Sequence, residues 1–441
     1  MKQVLRVLAV LTFALSLSAQ PETGLVQGKI VDKDGKPLVA VKVTLSRPQA
    51  ADLKVKTGPS GVFRFPSVFP GADYTVKAEL ADFKTASRAN VVVHIGGRST
   101  VDLVLEAGKP EEQAVVATAF PAIDLKRVAR GAEFGRTELQ ILPTARNPWE
   151  ILRLVPAVML DRENVGGNES TEPAVFVARG DNASGSNNFW TVDGVDVADR
   201  LDLGTPSVLF DFDAIDTVSV ITGGAADATV MTGGIIVNVL NSRGGNKTGG
   251  TARFYLTDKA FQASNMTSEL KSQGVANTNR IEQIKDYGVN VGGPILKNRI
   301  WWWGSYGIQD IYNYTIYDVK DQALLGNYSF KLDAQPFGGN RFEALFMSSS
   351  KERLGANASA AKPEGDHVSG QFRLGNPVFK LQDEQALGNN FLMSAKFTMG
   401  KTGSRMRPSL DEALTYPGTY DGGKETYVPY TSAHGRSWNS S

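Results

Sequence analysis

Cysteine is absent from the sequence. Its absence removes disulfides, thiolate nucleophiles and cysteine-based metal sites together. Histidine is scarce, with His94, His367 and His434 far apart. No H-E-x-x-H, G-x-S-x-G or Walker-type loop occurs, so nothing nominates an active site, and no enzyme, cofactor or metal is expected. An excess of one charge is also missing: 47 basic residues face 46 acidic ones, for a net charge of +1. That balance gives no reason to expect nucleic acid as a partner. Finally, no run of about 18 apolar residues follows the first twenty positions, so a membrane helix is excluded. A chain of this kind resident in a membrane would have to cross it as a closed barrel.

The N-terminus is informative. Lys2 and Arg6 form a basic start, and Val7 to Leu17 is apolar except for Thr12 and Ser16. Ser16, Ser18 and Ala19 then supply small residues, so residues 1–19 read as a secretory signal peptide cut near Ser18 or Ala19. The alternative, a short anchor helix, is too short to span about 30 Å of hydrocarbon.

Residues 24–107 carry short alternating runs at Leu25–Val31, Val41–Leu45, Val62–Phe65, Tyr74–Leu80, Val91–Ile95 and Val101–Leu105. Turn signals at 32–37, 58–61, 70–73 and 96–97 separate them, which points to a small β-sandwich. The runs Val26-Gln27-Gly28-Lys29-Ile30-Val31-Asp32, Gly35-Lys36-Pro37-Leu38 and Thr57-Gly58-Pro59-Ser60-Gly61-Val62-Phe63 resemble the carboxypeptidase regulatory-like domain. The resemblance is to an accessory module, not to a peptidase, and no zinc-ligand cluster is visible in it.

Residues 108–122 read as a linker. After its acidic, proline-containing start comes Ala114-Val115-Val116-Ala117-Thr118-Ala119, a short β-prone stretch able to add to a partner as a strand. Val115, Val116, Ala117 and Thr118 are the candidates for partner coupling. The alternative is that they begin the next domain. That domain spans 123–246. The sequence predicts one helix, with Pro148 at its start and Trp149, Leu152 and Val155 on one face, stopped by Pro156. The remainder reads as short strands and glycine-rich loops: Phe176 to Gly180, Trp190 to Val195, Ile215 to Ile221, Gly223-Gly224, and Gly233-Gly234 leading to Val239. This order is similar to the plug domain of TonB-dependent receptors, with Arg179, Gly180, Asp193, Gly194, Gly223, Gly224, Gly233 and Gly234 as its motif residues. Ala225-Ala226-Asp227-Ala228 stands where the family shows an aromatic-glycine pair.

Residues 249–441 alternate strongly. Phe391, Met393, Ala395, Phe397 and Met399 oppose Leu392, Ser394, Lys396 and Thr398. Tyr328, Phe330, Leu332 and Ala334 oppose Asn327, Ser329, Lys331 and Asp333. Tyr287, Val289 and Val291, and likewise Ala252, Phe254 and Leu256, repeat the pattern. One apolar face beside one charged face fits a barrel with lipid outside and water or plug inside. Seven strands are expected, near 249–258, 284–296, 299–312, 324–335, 340–351, 368–381 and 390–401. Short turns at 297–298, 336–340 and 382–389 alternate with longer loops at 259–283, 313–323 and 352–367. Trp301, Trp302 and Trp303 are assigned to a membrane-interface girdle. Gly292 to Arg299 with that triplet is similar to a motif of Oar-like receptors.

The expected fold is therefore mainly β: an N-terminal sandwich, a mixed α/β plug and the first part of an antiparallel transmembrane barrel. The resemblance implies a bacterial outer-membrane receptor, its sandwich in the periplasm. Its expected partners are the periplasmic domain of the TonB energy-coupling protein, outer-membrane lipid and an extracellular ligand the sequence does not identify. A structural or adhesive outer-membrane protein, and a soluble secreted binding protein, are the alternatives. Seven strands fall short of the roughly 22 of a plugged transporter barrel, so a truncated gene product or fragment is expected. Arg179-Gly180-Asp181 as an adhesive tripeptide, and Asp193, Asp196, Asp199 and Asp202 as a Ca²⁺ site, are set aside in favour of plug loops.

Overall fold

A computed structural model describes residues 22–48, 50–108, 113–115, 130–164, 166–171, 173–178, 187–198, 204–223, 232–337, 339–354, 377–387 and 391–400, with two short strands at 420–421 and 426–427. The chain is mainly β. The signal-peptide assignment falls outside these residues.

In the first unit, inward alternation builds two sheets. The strands are β1 (Gly24–Val31), β2 (Lys42–Ser46), β3 (Leu53–Lys56), β4 (Val62–Val68), β5 (Gly71–Glu79), β6 (Thr85–Val93), β7 (Arg98–Thr100), β8 (Leu103–Val104) and β9 (Gln113–Val115). One sheet runs β4-β1-β7 with β8 also on β1; the other runs β3-β2-β5-β6-β9. Val26, Ile30, Phe63, Val43, Val76, Val93 and Leu103 bury their side chains between them. Each fully buried side chain of this size contributes about 1.5–3 kcal/mol. Gly28 is required by close approach, because a Cβ there would lie 1.8 Å from the Val101 carbonyl oxygen. Two expectations need correction. β3 was not anticipated, because its lysines alternate with only half-buried Leu53 and Val55. β6 begins at Thr85, six residues before the apolar run that announced it, since its first half is polar and held by pairing to β5.

The second unit contains β10 (Arg130–Gly135), a one-turn helix α1 (Arg136–Ile141), β11 (Val158–Leu160), β12 (Phe176–Ala178), β13 (Phe189–Val192), β14 (Val195–Asp196), β15 (Ile215–Gly223) and β16 (Ile236–Asn241). Its sheet runs β10-β15-β16-β13-β14. Only β13 and β16 are parallel neighbours within it. Pro148–Leu154 is helical, as expected, but of the 3-10 type, and the Asn147 side chain accepts from the Trp149 amide at its start. The three-residue spacing of Trp149, Leu152 and Val155 suits three residues per turn. Trp190 sits at the centre of the core. Its ring lies 5.1 Å from Trp149 and 5.5 Å from Phe176, and its indole N–H donates to the Gly204 carbonyl at 3.0 Å.

The third unit is a seven-stranded antiparallel meander: β17 (Gly249–Asp258), β18 (Arg280–Leu296), β19 (Ile300–Tyr314), β20 (Lys320–Ala334), β21 (Asn340–Leu354), β22 (Val378–Leu387) and β23 (Phe391–Gly400). A second one-turn helix, α2 (Ser268–Ser272), lies in the long β17–β18 loop. The alternation places Tyr287, Val289, Tyr328, Phe330, Phe397 and Met399 on the exposed outer face. Asp286, Asn290, Lys331, Asp333 and Glu343 are buried on the inner one. Leu345, Met347 and Val378 from this inner face join the core of the second unit. The sheet thus packs on the plug-like unit. Several strands have 15 or more residues, beyond the 9–11 that cross a bilayer. The loop expected at 313–323 accordingly contracts to 315–319, because Tyr314 already pairs with Lys320.

Two further corrections concern this sheet. The sixth strand lies at Val378–Leu387 rather than 368–381. The run Gln382-Asp383-Glu384-Gln385 reads as a polar turn, but Gln382 and Glu384 face the buried inner side and pair across to β21. The tryptophan triplet does not lie wholly on the membrane side. Trp301 and Trp303 are buried on the inner face, 7% and 3% exposed, and the Trp301 indole donates to the Asn246 side chain at 2.8 Å. Successive strand residues point to opposite faces, so only Trp302 shares the outward register with Phe330.

A candidate functional site where the second unit meets the sheet

The second unit presents a two-residue hairpin between β13 and β14. Its tip is Asp193-Gly194, with φ of 45° and 67°. Both residues take positive φ, the requirement of the tight turns that aspartate-glycine favours. The tip enters the inner face of the seven-stranded sheet, where Asp193 is fully buried. The Lys331 ammonium donates to the Asp193 carboxylate at 2.6 Å and to the Asn241 carbonyl at 3.1 Å. Lys380 donates to the Asp193 backbone carbonyl at 2.6 Å, and Lys396 to that of Gly194 at 2.9 Å. Three lysines on three strands, β20, β22 and β23, therefore grip one turn.

The acids close the cluster. Arg243, just after β16, bonds Asp333 and Glu343 at 2.5 Å each, and Glu343 also accepts from Lys380 at 2.8 Å. Glu22, two residues ahead of β1, accepts from Lys380 at 2.7 Å through both oxygens and from Lys396 at 3.1 Å. Burial pushes the Asp193 carboxyl above its ordinary value, against the pull of Lys331. Burial acts on Glu22 in the same sense, but Lys380 and Lys396 outweigh it and hold Glu22 below the ordinary value. Burial works against the Arg243 charge, and Glu343 and Asp333 more than restore it, so its pKa is raised. Oxygens of Glu22, Asp193 and Glu343 lie within 4.8 Å of one another, as a divalent cation would need. The lysines and Arg243 already supply the counter-charge at those oxygens. The set fits internal ion pairing better than a metal.

A second charged group lies further along the sheet. Arg253 of β17 pairs Asp211, Asp213 and Asp286 at 2.7, 2.8 and 2.9 Å. Arg146 also pairs Asp213 and Asp286, with its guanidinium 4.1 Å over the Tyr255 ring. Burial raises the Asp211 carboxyl, opposed by Arg253. The sandwich touches the first cluster, around Arg243. Phe69 lies between the guanidinium groups of Arg243 at 3.5 Å and Arg341 at 4.0 Å, and Ser67 bonds both Arg341 and Glu384.

Of the motif residues named from sequence, Asp193 and Gly194 lie in the cluster. Gly223 stands exposed at the end of β15, and Gly233 and Gly234 turn the chain into β16. Arg179, Gly180 and Gly224 lie outside the described residues, as do Val116, Ala117 and Thr118. Val115 ends β9, which pairs parallel with β6 on the edge of the sandwich. Asp196 caps the Ala198 amide, and Asp199 and Asp202 lie outside the described residues. The sequence reading missed Glu22, Arg243, Glu343 and Lys380. Alternation had already put Lys331, Asp333 and Lys396 on the non-lipid face, which was the available signal.

Residues 25–106 match the carboxypeptidase regulatory-like domain. Over 311 residues the chain is 24% identical to the TonB-dependent transporter Oar of Myxococcus xanthus. The chain is a homologue of a TonB-dependent transporter. The match covers 68% of this chain and 28% of the length of Oar. Solved structures with a similar course include the siderophore receptor PirA of Acinetobacter baumannii, at TM-score 0.46 and 17% identity, covering 62% of this chain and 40% of that one. Another is a mutant of the ferric enterobactin receptor PfeA of Pseudomonas aeruginosa, at TM-score 0.46 and 13% identity, covering 69% and 45%. These relatives are transporters and receptors, not enzymes. The exposed apolar sheet face and the TonB-dependent relative together place this homologue in the outer membrane.

Proposed function

We propose that this chain is the N-terminal portion of a TonB-dependent outer-membrane receptor, which binds an extracellular ligand and imports it by energy-coupled rearrangement of its plug. In this reading residues 24–107 are a periplasmic sandwich, 108–122 a coupling linker, 123–246 the plug and 249–441 part of the barrel. The observation that carries it is the gripped hairpin. One ion pair, Lys331 with the Asp193 carboxylate, and two hydrogen bonds, from Lys380 and Lys396 to the backbone carbonyls of Asp193 and Gly194, hold the plug hairpin shut. Such contacts re-form after separation, so the plug has a defined closed state and a force can open it. The partner supplying the force is the periplasmic domain of the TonB energy-coupling protein, acting on Val115, Val116, Ala117 and Thr118. Strand addition suits that contact, since β9 already pairs as an added edge strand within the chain.

These 441 residues hold no cysteine, so a cysteine placed in the linker has no neighbour within them to compete for a cross-link. Full-length protein with Val116→Cys should form a disulfide with a cysteine-bearing periplasmic domain of the coupling protein. Deleting Ala114–Ala119 should abolish co-purification of that domain while surface level stays unchanged. Undiminished co-purification after the deletion would move the coupling contact out of this segment, and no co-purification even without the deletion would favour the structural or adhesive reading.

A further inference from the structure

We infer that Glu22 is a latch: it lets the sandwich hold the plug hairpin closed, and its withdrawal opens the hairpin. The inference rests on the receptor reading and adds to it how a pull on the N-terminal segment reaches the plug. Four cations, Arg243, Lys331, Lys380 and Lys396, meet four anions, Glu22, Asp193, Asp333 and Glu343, in the cluster. Arg341 and Glu384 beside it form a further balanced pair. The cluster is neutral only while Glu22 is in place. Glu22 is also the one member contributed by the N-terminal segment, and only Thr23 separates it from β1.

The fit is tight on the plug side. A Cβ on Gly194 would lie 2.2 Å from a Glu22 carboxylate oxygen, so the hairpin tip is shaped around this carboxylate. Hydrogen bonding does not otherwise saturate the site. Asp193 Oδ2 and Arg243 Nη2 are buried and have no hydrogen-bond partner. Charge balance is therefore a large part of what holds the cluster, and a buried charge left uncompensated is strongly destabilising. Moving β1 by about one hydrogen-bond length, roughly 3 Å, would carry Glu22 away from Lys380 and Lys396. Among the described residues, Lys396 would then keep only the Gly194 carbonyl. Phe69 between Arg243 and Arg341 makes the sandwich's second grip on the same cluster. The linker strand β9 lies on the edge of the sandwich, so tension on the linker reaches β1 through the sandwich.

The test is hydrogen exchange of full-length protein in outer-membrane vesicles, with no ligand and no coupling protein present. In Glu22→Gln the amides of Val195 and Asn241, which bond within the hairpin and its neighbour, should exchange roughly tenfold faster or more. Glu22→Lys should accelerate them further. Adding Lys396→Glu to Glu22→Lys should restore slow exchange by reversing the pair. Wild-type exchange in Glu22→Gln, or no restoration by the reversed pair, overturns the latch. So does acceleration that spreads to Val43 in the sandwich and Ser305 in the outer sheet, because the effect would then be general unfolding. Neither result depends on the Val116 cross-link, so latch and receptor reading fail separately.

Discussion

At the scale of single residues, Asp193 and Lys331 are both completely buried and 2.6 Å apart. Breaking a buried pair by removing one partner costs about 3–5 kcal/mol, because the other charge remains. Lys331→Met should destabilise the closed plug by about that amount, measured by urea unfolding in vesicles. Adding Asp193→Asn should recover part of the loss, and strict additivity of the two substitutions would refute direct coupling. Glu22 sets a pH dependence of known sign. Its folded pKa lies below the ordinary 4.5 because Lys380 and Lys396 outweigh burial. The stability it contributes is present above that ordinary value and is lost as pH falls through the lower folded one. Asp193, whose pKa burial raises, contributes in the opposite sense. Acid titration of Val195 exchange should therefore show an opening limb below about pH 4.5 in the wild type. Glu22→Gln should make that limb shallower, and an identical limb in both would exclude Glu22 as a source of it. Asp193-Gly194 was legible in the sequence because a turn needing two positive φ values has a short residue code. Glu22 was not, since its partners Lys380 and Lys396 lie more than 350 residues away in the chain.

At the scale of elements, the register of β17 to β23 was legible wherever the outer face is purely apolar. Tyr328, Phe330 and Leu332 face away from Lys331 and Asp333 as the alternation requires. β22 was misplaced because its buried face is polar after Val378, through Lys380, Gln382 and Glu384, and polarity at buried positions appears only when a charged partner is known. The tryptophan triplet failed for a related reason: composition marks an aromatic cluster, but the pleat divides it between two faces. Phe330 lies outward in the second half of β20 and is 46% exposed. Phe330→Lys should cost about 2–4 kcal/mol in a bilayer. Urea unfolding in phospholipid vesicles measures it, and a cost near zero would show that this face does not meet lipid.

At the scale of the whole molecule, three units converge on one charged cluster. The plug contributes Asp193 and Arg243, the sheet three lysines with Asp333 and Glu343, and the sandwich segment Glu22 and Phe69. Among the described residues, β17 and β23 have no further strand on their outer edges. Open edges are not viable in lipid, so insertion of this sheet needs pairing beyond these seven strands. In the receptor reading, this convergence couples the sandwich energetically to the plug and the sheet. Phe69 is the residue that shows this most directly, because its ring lies between one guanidinium of the plug and one of the sheet. Desolvated cation–π contacts contribute up to about 2 kcal/mol each. Calorimetry of the full-length protein should show the sandwich unfolding together with the plug. In Phe69→Ala that signal should split, the sandwich unfolding in a separate transition at lower temperature, while β1 to β8 keep their own core. A single unchanged transition in Phe69→Ala would mean that the sandwich is not coupled through this ring.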